Sequence, residues 1–90
     1  MARIVWREGA LGDIDDIIGY IHQFNPEAAI KMGDRLIDLG QSLAYFPHRG
    51  RQISRDTREM TNVPPFILKY EVEDDTVFIL SIRHGARNAD

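Results

Sequence analysis

The order of residues predicts an α+β fold, with a helical hairpin packed on a mainly antiparallel sheet. Three observations carry that prediction. Two stretches of helical apolar spacing follow one another in the first half of the chain, separated only by Asn25-Pro26-Glu27. Alternating stretches crowd the second half, with the acidic turn Asp74-Asp75 between the last two. One short alternating stretch precedes the helices. A run of helices followed by a run of strands segregates the helices to one face of a sheet. The expected order is β-α-α-β-β-β in a single domain over residues 1–90, since 90 residues suffice for one hydrophobic core and not two.

Residues 2–7 read as a strand, with Arg3, Val5 and Arg7 on one face and Ile4 and Trp6 on the other. Gly9 and Gly12 mark a loose helix start, and the spacing predicts a helix from about Leu11 to Phe24. Its stripe is Leu11, Ile14, Ile18 and Ile21, broadened by Ile17. Asp13, Asp15 and Asp16 fall in its first turns, where the helix dipole favours negative charge.

Asn25 is placed to cap a second helix, with Pro26 at its first position and Glu27 in its first turn. That helix is expected to run to about Phe46, with Ala29, Met32, Leu36, Leu39, Leu43 and Phe46 as its stripe. A second line, Ile30, Gly33, Ile37, Gly40 and Ala44, is small and apolar. Glycine in a helix costs roughly 1 kcal/mol relative to alanine, so the two glycines imply close packing, expected against the first helix. Pro47 ends it.

Residues 48–56 read as a polar, arginine-rich loop around Gly50, and 57–62 as a short strand stopped by Pro64-Pro65. In 66–73, Phe66, Leu68, Tyr70 and Val72 face one way, and Ile67, Lys69, Glu71 and Glu73 the other. In 76–83, Phe78, Leu80 and Ile82 are expected opposite Val77, Ile79 and Ser81. The tight connection makes these last two strands a hairpin.

Composition narrows the function classes. A domain this small buries a modest part of its surface and gains from a staple or a partner. The chain has no cysteine, which removes disulfides and thiolate metal sites. His22, His48 and His84 have no second ligand at helical or zinc-finger spacing, so neither metal nor cofactor is expected, and a protein partner is the expected source of added stability. No secretory signal or membrane span is read in the sequence, and the expected compartment is the cytoplasm. There is no glycine-rich phosphate loop, nucleophile elbow or HExxH.

The formal net charge of −3 argues against tight, sequence-independent nucleic-acid binding. The charge is uneven. Residues 8–38 are acidic, whereas 48–58 carry Arg49, Arg51, Arg55 and Arg58 against Asp56. Nine of the eleven basic residues are arginine, which favours planar, bidentate contacts with carboxylates or phosphates.

Several pieces, in order, resemble the RelE/ParE superfamily of toxins, and its ParE branch in particular. Ala10, Asp13, Ile14, Ile17, Tyr20 and Ile21 look like its first helix, and Asn25-Pro26 with Ala28-Ala29 like its helix restart. Phe46-Pro47-His48-Arg49-Gly50-Arg51 resembles its P..GR loop. Arg58-Glu59-Met60, Pro65-Phe66-Ile67 and Tyr70-Glu71-Val72 resemble its middle strands. Val77-Phe78-Ile79-Leu80 and His84-Gly85-Ala86-Arg87 resemble its closing strand and end. The resemblance implies a toxin that arrests growth until a cognate antitoxin of the ParD or RelB kind covers it in a hetero-oligomeric complex. ParE-type members are understood to poison DNA gyrase, and RelE-type members to cleave messenger RNA on the ribosome. One fold hosts both, so fold does not choose between them.

The ribonuclease chemistry needs groups that activate a 2′-hydroxyl, stabilise the phosphate and protonate the leaving oxygen. Glu59, Arg83 and His84 are the available candidates, but no tyrosine follows Tyr70, and the only lysines are Lys31 and Lys69. The leading expectation is therefore a binder of gyrase, with target contacts from Arg49, Arg51, Arg58, Arg83, His84 and Arg87. The blander readings are a structural histidine at His84, a salt bridge at Glu59 and a solvated loop at Arg49 and Arg51. Ile17, Tyr20 and Phe24, beside the main helical stripe, are the expected antitoxin contacts. An inactive family member that works only with its antitoxin is the remaining alternative.

Overall fold

A computed structural model describes residues 1–85. Strand β1 (Arg3–Trp6) leads directly into α1 (Glu8–His22) and then α2 (Pro26–Ser42). Four strands follow: β2 (Arg51–Gln52), β3 (Thr57–Met60), β4 (Phe66–Glu73) and β5 (Thr76–His84). The strands form one sheet in the order β1-β5-β4-β3-β2. Only β1 and β5 pair in parallel, and the other three pairings are antiparallel. The helical hairpin covers one face, as its spacing predicts. The two-residue strand β2, inside the stretch read as loop, is an addition.

Both helices differ from expectation at their ends. The first starts three residues earlier, so Gly9 and Gly12 lie inside it and Arg7 is its N-cap. Fully buried Ala10 anchors that first turn. The helix stops at His22 because the amides of Phe24 and Asn25 both turn back to the Ile21 carbonyl. Asn25 is then extended, and its side chain accepts the Ala28 amide at 3.1 Å, the expected cap.

Helix α2 ends at Ser42, short of Phe46. The Ser42 hydroxyl takes the Leu39 carbonyl at 2.6 Å. The amides of Leu43, Ala44 and Tyr45 then bond three residues back, which tightens the chain. Tightening carries Phe46 off the apolar stripe, and it is 65% exposed. The Ala44 carbonyl instead accepts the Ala2 amide and ties this turn to the entry of β1.

The core lies between the helices and the sheet. Its largest fully buried side chains are Tyr70, Leu36, Leu43, Leu68, Ile79 and Val77. Burying each aliphatic side chain contributes about 1.5–3 kcal/mol. The two helix glycines serve different contacts. A Cβ on Gly33 would lie 2.7 Å from Ile18 of α1, the expected helix-to-helix approach. A Cβ on Gly40 would lie 2.5 Å from the Trp6 ring and 2.7 Å from Ile79, so this glycine seats α2 on the sheet and not on α1.

The hairpin turns at Asp74-Asp75 as expected, with Asp74 at φ 55°, a left-handed conformation that aspartate tolerates. One strand departs from its expected faces. Lys69 pairs with Ser81 but Tyr70 pairs with Ile79, so β5 carries an extra residue there. A one-residue bulge reverses which side chains point inward. Val77 and Ile79 face the core before it and Ile82 faces the core after it, so Ile82 joins Val77 and Ile79 in place of the unbroken alternation that set it opposite them.

Candidate functional site

The expected site residues fall into three places. The first is the loop between α2 and β3. Tyr70, cross-strand from Arg58, is fully buried. That hydroxyl accepts the Gly50 amide at 2.9 Å and donates to the Pro47 carbonyl at 2.9 Å. A Cβ on Gly50 would meet the hydroxyl at 2.7 Å, so only glycine fits here. Burial raises the Tyr70 pKa above 10.0, offset in part by the Gly50 amide and the charges of Arg58 and Arg49. One nitrogen of Arg58 donates to the carbonyls of Gly50 (2.7 Å) and His48 (3.0 Å). Arg49 is exposed and donates to the Ser42 hydroxyl at 3.0 Å.

The second place is the sheet face away from the helices. Arg51, Glu59, Lys69 and Ser81 are successive cross-strand neighbours on it. Arg51 bonds Glu59 at 3.0 Å, with Arg51 78% exposed and Glu59 12% exposed. The carboxylate is thus engaged while much of the guanidinium remains at the surface. Arg83, paired with Ile67, stands further along β5 and is exposed. On the β1 side, Arg7 lies 4.8 Å over the Phe78 ring.

The third place is a groove of about 540 Å³ between the hairpin and the ends of β4 and β5. Ile17, Tyr20 and Met32 line its helical wall, and Phe66, Ile82 and His84 its sheet wall. His84 meets Phe66 edge-on, with ring centroids 5.7 Å apart. Asp13 and Asp16 border one side and Arg83 the other. Asp13 accepts the Ile82 amide at 2.8 Å, three residues beyond the last position of β5 that β1 pairs. Tyr20 and Phe24 are 61% and 72% exposed and pack edge-to-face at 5.4 Å.

The structure therefore brings Arg49, Arg51 and Arg58 together around one loop. It puts Arg83 and His84 at the far side of the sheet, on opposite faces by their alternation along β5. Glu59 shares a face with Arg83, but β4 lies between their strands. Arg87 lies outside the described residues. Ile17 and Tyr20 line the groove, and Phe24 extends Tyr20 beyond it. Phe46, expected in the apolar stripe of α2, is exposed, and so is its neighbour Tyr45. The roles of Tyr70 and Asp13 were also missed. The signal for Tyr70 was a hydroxyl set in an inward-facing apolar row, which requires a partner. Among the described residues there is no group of three or more acids and histidines able to hold a metal ion, and no helix long and apolar enough to cross a membrane.

A helical hairpin on one face of such a sheet, with an arginine-bearing loop at one end and an apolar groove at the other, is the architecture of a toxin of the RelE/ParE class. The family model described as the ParE toxin of the parDE type II toxin–antitoxin system matches residues 4–89, and the chain belongs to that family. It is 46% identical over 87 residues to a Caulobacter vibrioides protein named Toxin RelE2, covering 97% of this chain and 99% of that one. It is 34% identical over 85 residues to Putative toxin Y4kP of Sinorhizobium fredii, covering 92% and 88%. Among solved structures, a chain of the chromosomal ParDE system from P. aeruginosa superposes with a TM-score of 0.81. That match is 22% identical, covers 93% of this chain and 96% of the other, and speaks for the fold.

Proposed function

We propose that this toxin acts by binding DNA gyrase and is neutralised by a cognate antitoxin. The observation that carries the binding reading is the separation of the acid/base candidates. Glu59 is ion-paired to Arg51, and His84 stands against Phe66 on the other side of the sheet from Arg83. General acid–base catalysis needs both groups within hydrogen-bond reach of one reacting centre. The family model is described as a ParE toxin, and gyrase is the target that the resemblance to the ParE branch implies. Arg49, Arg51, Arg58, Arg83, His84 and Arg87 are the proposed target contacts.

The antitoxin is proposed to lay apolar side chains along Ile17, Tyr20 and Phe24, with the groove they border as its seat. Exposed aromatic residues of this kind anchor interfaces. An Ile17→Asp variant that kept wild-type antitoxin affinity would count against that seat.

The test is pulse incorporation of labelled thymidine and labelled amino acid soon after the toxin is induced without antitoxin. An early fall in DNA synthesis supports gyrase. The name of the relative Toxin RelE2 favours a second reading, ribosome-dependent cleavage of messenger RNA through Glu59, Arg83 and His84. An early fall in protein synthesis would select it. A folded chain that depresses neither would be an inactive member of the family.

A further inference from the structure

We propose that Tyr70 is the positioning residue of the arginine-bearing loop, clamping residues 47–50 so that Arg49 and Arg51 are held ready for the target. The proposal rests on the reading of those arginines as target contacts. Arg58 completes the clamp, bracing the loop through the His48 and Gly50 carbonyls.

Four bonds converge on this short segment. From below, the Tyr70 hydroxyl holds the Pro47 carbonyl and the Gly50 amide. From the side, Arg58 holds the His48 and Gly50 carbonyls. The two residues are cross-strand neighbours on β3 and β4, so the clamp is built on the rigid sheet. Gly50 is buried, while Arg49 and Arg51 on either side of it are exposed. The segment is thus tied down at its backbone while its cationic side chains stand at the surface, Arg49 bonded to Ser42 and Arg51 to Glu59. A loop ordered before binding has less entropy to lose when it binds. Without the hydroxyl, the buried Gly50 amide and the part-buried Pro47 carbonyl would lose this partner, and the loop would open to find water. The tyrosine ring itself belongs to the core, so the hydroxyl is separable from packing.

The experiment compares the full-length wild type with Tyr70→Phe. Val77→Ala serves as a control that loosens the core without removing any of the loop's four bonds. Three quantities are measured: amide exchange at Gly50 by NMR, antitoxin affinity, and the induction level needed for growth arrest. Exchange at Gly50 is expected to accelerate about ten-fold in Tyr70→Phe beyond any change in the α1 and β4 amides. Antitoxin affinity should hold, and potency should fall about ten-fold if loop order contributes one hydrogen bond's worth of binding. Val77→Ala should keep its potency and its Gly50 protection relative to the other amides.

Unchanged Gly50 exchange in Tyr70→Phe overturns the clamp. Full potency with a loosened Gly50 amide overturns the positioning role. Equal loss of potency in Val77→Ala also overturns it, since stability alone then explains the effect. A folded wild type that arrests nothing overturns the toxin reading and the positioning role with it, whereas the Gly50 exchange still decides whether the clamp exists.

Discussion

Asp13 of α1 accepts the backbone amide of Ile82 at 2.8 Å, across 69 positions of sequence. Strand β1 has already ended where Ile82 sits, so a helix side chain takes over where the parallel partner stops. The bond joins the helical hairpin to the end of β5 that carries Arg83 and His84. Replacing Asp13 by alanine leaves a part-buried amide without this partner and should cost about 1–3 kcal/mol. Urea unfolding checks this, and an unchanged midpoint would mean that water serves the amide equally well.

Gly40→Ala should be among the most damaging single-methyl changes in the chain. The added carbon would meet Trp6 and Ile79 at 2.5 and 2.7 Å, where the ring and the strand are both fixed by the core. Overpacking of this kind costs about 1–3 kcal/mol. Gly12→Ala and Gly19→Ala meet nothing within 4 Å and should stabilise by up to roughly 1 kcal/mol. Thermal melts of the three variants should therefore move in opposite directions.

The Arg51–Glu59 pair should matter little to stability. Arg51 is 78% exposed, and exposed ion pairs contribute about 0–1 kcal/mol. A double-mutant cycle of Arg51→Ala and Glu59→Gln measured by urea unfolding should return a coupling in that range. A clearly larger coupling would make the pair a structural element of the β2–β3 edge.

Stability should fall in alkali through Tyr70. Its folded pKa is raised above the ordinary 10.0 by burial, so the folded state keeps its proton after the unfolded chain has lost it. The stabilisation is fully present below pH 10.0 and is lost as pH rises from there through the folded value. The urea midpoint of the wild type should decline over that window, and Tyr70→Phe should show a shallower decline. Equal slopes would assign the alkaline loss to other groups.

Local chemistry was legible in the sequence, and long-range pairing was not. The Asn25-Pro26 restart, the Asp74-Asp75 turn and the faces of β1 and β4 depend on neighbours a few residues away, and they appear as expected. The inward position of Ile82 depends on an extra residue in β5, which only its pairing with β4 defines. The end of α2 depends on a hydroxyl and on a bond from Ala2 to Ala44, so the stripe extrapolated to Phe46 ran too far. The arginines of the 48–58 segment were visible as a charge cluster. That Arg58 holds two carbonyls of the same segment required knowing that β3 runs beneath the loop.

The sheet order has a consequence for how the toxin is made. Strand β5 lies between β1 and β4, and β1 has no other neighbour in the sheet. Strand β1, made before the other described strands, must therefore wait for β5 before it is paired. A nascent chain stopped before Thr76 has no completed sheet, and late nonsense or frameshift alleles should behave as complete losses of function. Translation through β5 is in this sense the step that completes the molecule.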